Sequence, residues 1–143
     1  MILPDVNTLL YAVNSSSEQH GAALRALRQG FEGPRGVAFA WTALLAFLRL
    51  STRRGIFPRP LSADDALRVI MHWLGHPQAL VVHPGEQHAK ILGRLLRSAG
   101  TAGNLTTDAH LAALAIEHGA TIISFDRDFA RFAGVNWTLP TAE

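Results

Sequence analysis

The sequence predicts a three-layer α/β/α sandwich with a central, mostly parallel sheet, built as a single domain over residues 1–143. Short apolar, β-like runs alternate along the chain with longer stretches of helical periodicity, which is typical of strands covered by helices. A length of 143 residues suits one compact domain, and 48% hydrophobic residues supply enough material for its core. Because no internal repeat or linker divides the chain, we expect one folding unit.

In the first half of the chain, two short apolar runs are predicted strands. Ile2 and Leu3 form the first strand, which leads into Asp5, and residues 37–40 form the second. Helical periodicity predicts helices over residues 8–14, 18–29 and 42–53. Residues 55–60 contain two prolines, which interrupt both helix and sheet, so this segment is predicted to be a connector.

In the second half, capping signals help to place the helices. Ser62 is followed by acidic residues, as at a helix start, and this helix is predicted to end at Leu74. Another helix begins at residue 106 or 107 and ends at His118, before a terminating glycine. The remaining predicted elements are a strand at 79–82, a helix at 86–98, a strand at 121–125, a short helix at 127–132 and an extended tail around Trp137.

The composition excludes several kinds of chemistry. The chain has no cysteine, so it has no disulfide, thiolate metal site or cysteine nucleophile. It has no apolar run long enough to span a bilayer and no secretory signal, so we expect a cytoplasmic protein without membrane contact. Twelve of its 13 basic residues are arginine, whose planar donors suit phosphate or an acidic partner.

Four aspartates occupy positions at which a parallel sheet binds ligands. Asp5 follows the first strand, Asp126 and Asp128 follow the predicted strand at 121–125, and Asp108 lies in the first turn of a helix. If the two strands are neighbours, the four carboxylates converge at the carboxyl edge. Converging carboxylates repel each other unless a cation neutralises them, and oxygen ligands favour Mg²⁺ or Mn²⁺. Taken singly, Asp108 could instead complement a helix dipole and Asp126 could cap a helix.

The same positions resemble the motifs of the VapC toxins of the PIN-domain family. Asp5-Val-Asn-Thr is similar to the family's opening motif, the segment 104–115 to its central motif, and the segment 120–129 to its closing motif. The segment 42–49 resembles the helix between the first two motifs. The resemblance covers essentially the whole chain, in order, and the two later acidic motifs together are fairly specific.

The resemblance implies a Mg²⁺-dependent endoribonuclease toxin, usually a homodimer, which a cognate antitoxin silences. Asp5, Asp108 and Asp126 would be catalytic and hold the metal, with Asp128 and Asn7 in supporting positions. One departure concerns the helix at 42–53, where the family usually has a glutamate and Leu44 takes that place. Three explanations stay open: catalysis with fewer acids, weak metal binding until RNA supplies oxygens, or loss of catalysis.

Several other polar residues have a simple structural role as an alternative to a functional one. His72 and His76 have the spacing of two ligands on one helical face, but basic residues near a helix C-terminus are sufficiently explained by its dipole. Arg49 and Arg53 share a helix face and could contact RNA or the antitoxin, or be solvated surface charge. Thr107 could hold phosphate or water, although capping is the simpler role for it or its neighbour.

The helix at 42–53 and the one after it carry more apolar residues than a single buried stripe uses. The residues concerned are Leu44, Leu45, Phe47, Leu48 and Leu50, followed by Val69, Ile70, Trp73 and Leu74. Either all of them enter the core or a homodimer interface, or some form a groove for an amphipathic antitoxin helix.

Two other functions compete with the ribonuclease interpretation of the sequence. A phosphatase with Asp5 as nucleophile would need an acid two residues later, where Asn7 stands, and an amide cannot protonate a leaving group. A catalytically weak or inactive PIN scaffold that only binds RNA or antitoxin is the second, and the missing glutamate keeps it open. Turnover of RNA with Mg²⁺ or Mn²⁺ distinguishes it from a ribonuclease.

Overall fold

The computed structural model describes residues 1–142 and contains one five-stranded parallel sheet. The strands are β1 (Ile2–Pro4), β2 (Val37–Phe39), β3 (Ala79–Val81), β4 (Thr121–Ile123) and β5 (Trp137–Thr138), in the spatial order β3-β2-β1-β4-β5. The helices are α1 (Val6–Val13), α2 (His20–Glu32), α3 (Trp41–Thr52), α4 (Ala63–Leu74), α5 (His88–Ala99) and α6 (Thr106–His118). The predicted α/β/α class is confirmed.

Two apolar clusters cover the two faces of the sheet, and strand β2 shows how the sequence divides them. Ala38 belongs to the cluster that includes residues of α5 and α6, whereas Val37 and Phe39 belong to the cluster of α1 to α4. Successive side chains of a strand point to opposite faces, so three consecutive buried residues serve both layers. Buried strands of this kind read as continuous apolar runs.

The helix starts depend on specific caps, and here the structure differs from prediction. Asp5 accepts a hydrogen bond from the backbone N–H of Val6, so α1 begins at Val6 rather than at residue 8. Ser62 caps α4 as predicted, accepting from the N–H of Asp65 at 3.1 Å. Helix α6 continues from a 3₁₀ turn at Gly103–Leu105, so neither Thr106 nor Thr107 caps it, and the capping interpretation is wrong.

The two strands at the end of the chain also differ from prediction. Strand β4 ends at Ile123, two residues earlier than expected, because β1 ends at Pro4 and leaves the sheet as α1 begins. The predicted extended tail is a fifth strand, which pairs with β4 through Trp137 and Thr138. Its tryptophan Nε1 donates to the carbonyl of Ser124 at 2.9 Å. A strand of two residues is too short to show a sequence pattern of its own, so it is recognised only by its pairing with β4.

The pairing of β1 with β4 at the centre of the sheet positions everything that follows. Their register aligns Pro4 with Ile123, so Asp5 and Ser124 leave the carboxyl edge side by side. The N–H of Asp5 still donates to the carbonyl of Ile123 at 3.0 Å. Within residues 1–142, no helix combines the length and apolarity needed to cross a bilayer.

Candidate active site

Asp5 lies at the centre of the carboxyl edge and is only 9% exposed. One of its oxygens, Oδ1, accepts from the N–H of Val6 at 2.8 Å, and Oδ2 accepts from the hydroxyl of Ser124 at 2.8 Å. Burial raises the pKa of Asp5, and these hydrogen bonds lower it in part. The carboxylate is therefore held in one orientation by an adjacent helix and an adjacent strand.

Ser124 contacts Asp5 and Asp126 in this site, and the sequence analysis missed it. It is fully buried, and its Oγ donates to Asp5 while accepting from the N–H of Asp126 at 3.0 Å. The amide of Asn7 donates to the same oxygen at 3.1 Å, and Asn7 Oδ1 accepts from the N–H of Phe125 at 3.1 Å. No local signal marked it, because the predicted strand at 121–125 included Ser124, whereas β4 ends at Ile123 and leaves Ser124 equivalent to Asp5 after β1.

Thr8 fixes the same junction from the core side. Its side chain is fully buried, and its hydroxyl donates to the carbonyl of Ile123 at 2.8 Å. The first turn of α1 therefore bonds to the end of β4 through Asp5, Asn7 and Thr8. The supporting role predicted for Asn7 stays a prediction as regards chemistry, but its side chain does join the two elements.

The other three acids lie close together beside Asp5. Asp108, in the first turn of α6, offers a carboxylate oxygen that lies within 4.8 Å of oxygens from Asp126 and Asp128. Asp126 Oδ1 also accepts from the N–H of Asp128 at 2.9 Å and so caps the 3₁₀ helix Arg127–Arg131. Asp126 can therefore both cap this helix and belong to the acidic cluster, because its carboxylate has two oxygens.

The electrostatics of the cluster are dominated by Asp108. Burial, followed by the negative charges of Asp5, Asp126 and Asp128, raises the pKa of Asp108 to about 7. Ionisation of Asp108 is therefore disfavoured both by its burial and by the neighbouring carboxylates. No basic side chain donates a hydrogen bond to any of these acids among the contacts of the described residues.

The donor set of this cluster suits a hard divalent cation. Its ligand atoms are carboxylate oxygens, and within residues 1–142 no histidine joins the group. A cation would offset the repulsion that raises the pKa of Asp108. The acidic group can therefore bind a divalent metal ion.

The face of α3 beside Asp5 carries small residues. Thr42, Ala43 and Ala46 line the groove that Asp5 also lines. Leu44, which the sequence analysis put in the place of the family's glutamate, is fully buried in the core and lines no part of this groove. The helical period turns residue 44 away from residues 42 and 46. An acid that faced Asp5 from α3 would have to stand on the small-residue face instead.

The remaining predicted contact residues have different surroundings. Thr107 is exposed and lines the same groove as Asp5. Arg49 and Arg53 are exposed, but α3 ends at Thr52 and Arg53 is extended, so the predicted shared helical face is wrong. Their contacts with RNA or antitoxin stay predictions. His72 and His76 do not share a helical face, because α4 ends at Leu74.

His76 instead packs as a structural residue. Its ring lies 4.4 Å from the ring of Phe31, and its Nδ1 accepts from the N–H of Gln78 at 3.1 Å. These contacts account for the second histidine of the pair without a metal ion.

Comparisons with known proteins agree over the length of the chain. Residues 2–135 match the family model of the PIN domain. Ribonuclease VapC37 of Mycobacterium tuberculosis is 51% identical over 142 residues, covering 99% of both chains. Ribonuclease VapC33 of the same species is 41% identical over 143 residues, covering 100% of both. The chain also resembles the crystal structure of VapBC2 from Rickettsia felis bound to a promoter DNA fragment, with a TM-score of 0.72, 17% identity and coverage of 99% and 100%.

Replacing Asp108 should stabilise the metal-free protein at high pH. The pKa of Asp108 is about 7 in the folded protein against 3.8 in the unfolded chain, so the folded protein holds this proton more tightly. The free energy of unfolding therefore falls as the pH rises from about 3.8 to 7. Asp108→Asn removes this loss, so its melting temperature in excess chelator should exceed that of the wild type by about 3 °C or more at pH 8, and by less at pH 5. Asp64→Asn, at an exposed acid of α4, should show no such gain. A lower melting temperature for Asp108→Asn at pH 8 would contradict the crowding of charge described above.

Removing the hydroxyl of Ser124 should lower the stability of the protein and release the carboxylate of Asp5 from its fixed orientation. Ser124→Ala leaves an oxygen of Asp5 and the N–H of Asp126 without this partner, so the free energy of unfolding should fall by about 1–3 kcal/mol. The matched control is Ser98→Ala, whose exposed hydroxyl bonds only to the carbonyl of Leu95 and should change stability by less than about 0.5 kcal/mol. Urea unfolding measures both, and equal small effects would show that Ser124 does not hold the site together.

Proposed function

The chain belongs to the PIN domain family and, within it, to the VapC ribonucleases, and we propose that it is a divalent-metal-dependent endoribonuclease, the toxin of a toxin–antitoxin pair. The observation that carries this proposal is the convergence of Asp108, Asp126 and Asp128 beside Asp5 at the carboxyl edge of the sheet. Relatives at 51% and 41% identity over their full lengths are named ribonucleases. We further propose that residues 1–143 act as one domain.

We place a Mg²⁺ ion, for which Mn²⁺ can substitute, among Asp5, Asp108 and Asp126, with Asp128 as the supporting acid. When bound, such an ion neutralises the carboxylates and stabilises charge on a phosphodiester under attack by water. Asp108 must release its proton to become a ligand, so binding should strengthen as the pH rises through about 7. Water, and not the 2′-hydroxyl of the RNA, is the nucleophile in this scheme.

The residues around the acids have separable tasks. Ser124 and the N–H of Val6 keep Asp5 from turning away, so its charge stays fixed while substrate binds. The small side chains of Ala43 and Ala46 leave space beside Asp5 for an RNA backbone. Since α3 contributes no acid, the phosphate oxygens of RNA would complete the ligand set, which favours metal binding together with substrate.

For the antitoxin, we propose an apolar patch on the α3 and α4 surface. The buried residues Leu44, Phe47, Ile70 and Trp73 belong to the core, so for them the simpler interpretation is right. The patch consists instead of Trp41, Leu45, Leu67 and Met71, which are 44%, 56%, 42% and 69% exposed. Each pair is spaced by four residues on its helix, and α3 packs against α4. VapBC2, the solved toxin–antitoxin structure, supports a protein partner for this chain.

Replacing each of the four acids by asparagine should reduce RNA cleavage more at the three acids that are not exposed than at the exposed Asp128. Asp5→Asn, Asp108→Asn and Asp126→Asn should each lower RNA cleavage with Mg²⁺ at least ~100-fold while the fold is retained, because metal-centred charge stabilisation is worth several kcal/mol. Asp128→Asn should be milder, since Asp128 is exposed and solvent screens its charge. Initial rates on a labelled RNA measure the ranking, and Asp64→Asn serves as the control.

Excess chelator should stop cleavage by the wild type, and added Mg²⁺ or Mn²⁺ should restore it. Cleavage that continues in chelator, in a preparation whose Asp108→Asn counterpart is inactive, would refute the metal mechanism. Binding of RNA without turnover under either metal would instead identify the inactive scaffold that the sequence left open.

The apolar patch should be required for the antitoxin and not for cleavage. Leu45→Arg and Met71→Arg should abolish copurification with the antitoxin encoded beside this gene and leave the cleavage rate within about twofold, because each puts an unpaired charge into an apolar contact. Leu80→Arg, at an exposed leucine of the edge strand β3, is the control. If both patch variants still bind the antitoxin but become monomeric in sedimentation, the patch is the homodimer interface.

A further inference from the structure

A half-buried polar chain links α5 to α6 outside the acidic cluster. His88 Nδ1 lies 2.5 Å from Glu117 Oε1, and His88 Nε2 lies 2.8 Å from Nδ1 of His110. The second oxygen of Glu117 accepts from the N–H of Gly85 at 2.8 Å. The side chains of His88 and Glu117 are only 12% and 10% exposed. Such a network is expensive to bury unless every member is bonded, and no step of the proposed cleavage uses it.

When His88 and His110 are both neutral, the network determines which nitrogen of His110 is free to accept a hydrogen bond. A carboxylate can only accept, so His88 must donate to Glu117 from Nδ1. With one proton on each ring, His88 Nε2 then accepts from the Nδ1–H of His110. His110 Nε2 is left as a hydrogen-bond acceptor in a fixed ring orientation.

The ring of His110 forms part of a cleft that adjoins the acids. The cleft has a volume of about 290 Å³ and is lined by Thr42, Leu92, Thr106, Thr107 and His110. Two of these residues, Thr42 and Thr107, also line the groove of Asp5. An RNA whose phosphate lies at the acids would therefore bring a neighbouring nucleotide to this cleft.

The size and lining of the cleft favour one flat, partly polar group. Its volume is at the small end of the ~300–1,000 Å³ typical of ligand pockets, which suits a single base and not a folded RNA element. Leu92 offers an apolar surface for the face of a single base, and the in-plane Nε2 of His110 is left to meet its edge. The acceptor of His110 would bond to an N–H on the edge of that base.

We propose that this cleft is a nucleobase subsite, in which His110 selects a base that directs an amino or imino N–H towards its Nε2. Glu117 and His88 are positioning residues that keep this nitrogen an acceptor. A base that presents only acceptors there would leave two lone pairs facing each other, and this penalty is the source of selectivity. The inference rests on the proposed ribonuclease function and specifies its substrate preference.

The experiment uses short RNAs with one cut site, in which each nucleotide flanking the cut carries each of the four bases in turn. At one flanking position the wild type should prefer one base by about tenfold in kcat/KM, the worth of one base hydrogen bond. His110→Ala and His110→Phe should lose that preference, and the phenylalanine keeps an aromatic ring in the cleft while removing the acceptor. His72→Ala, at an exposed histidine, should retain it.

A double-mutant cycle tests the atom itself. N-methylation of the donor on the preferred base should cost the wild type about tenfold and cost His110→Phe nothing further. The inference is overturned if the wild type shows no preference at any flanking position, or if His110→Phe keeps the same preference.

Failure of the ribonuclease assignment would appear separately, as no cleavage of any RNA. The subsite is then tested by fluorescence anisotropy of the same RNAs on the Asp108→Asn protein, with and without His110→Phe. A base preference in binding that disappears with His110→Phe supports the subsite, and its absence overturns it.

Discussion

The structure depends above all on the pairing of β1 with β4 at the centre of the sheet. These strands are separated by more than a hundred residues in the chain, yet they are hydrogen-bonded neighbours in parallel register. Because Pro4 is aligned with Ile123, the residues that follow each strand emerge together. The hydroxyl of Thr8 and the N–H of Asp5 both bond to the carbonyl of Ile123, which fixes the start of α1 against the end of β4. A shift of one residue would separate Asp5 from Ser124.

The acidic cluster works against the stability of the fold that holds it. Burial and three neighbouring carboxylates raise the pKa of Asp108 to about 7, so ionisation of this group is unfavourable in the folded protein. Hydrogen bonds to Asp5 and to the backbone of Asp126 and Asp128 limit the freedom of the other acids. Acids placed in this way would bind a cation without first having to rearrange, which is the physical advantage of a preorganised site.

Two polar systems therefore meet at the start of α6. Asp108 faces the acids, whereas His110, two residues later, bonds to His88 and lines a separate cleft. Thr107 lines both concave surfaces. A helix that supplies a metal ligand on one side and a base contact on the other would couple catalysis to selection of substrate, because both groups lie on one rigid element.

Sequence alone determined the fold class and the order of the elements, because these follow from local periodicity. It also identified the four aspartates that converge at the carboxyl edge, because their residue type and their positions after predicted strands are local features. It also placed the cap of α4 at Ser62, a purely local signal. It did not reveal Ser124, whose importance lies in its contact with Asp5 across 119 positions. Nor did it show that Leu44 belongs to the core, since the face that a helix buries depends on its neighbours.

The sequence predicted the extended tail around Trp137 but not its pairing with β4, and it did not predict the chain from Glu117 through His88 to His110, for the same reason. Their hydrogen bonds join residues distant in sequence, and only the packed sheet and helices bring those atoms within bonding distance.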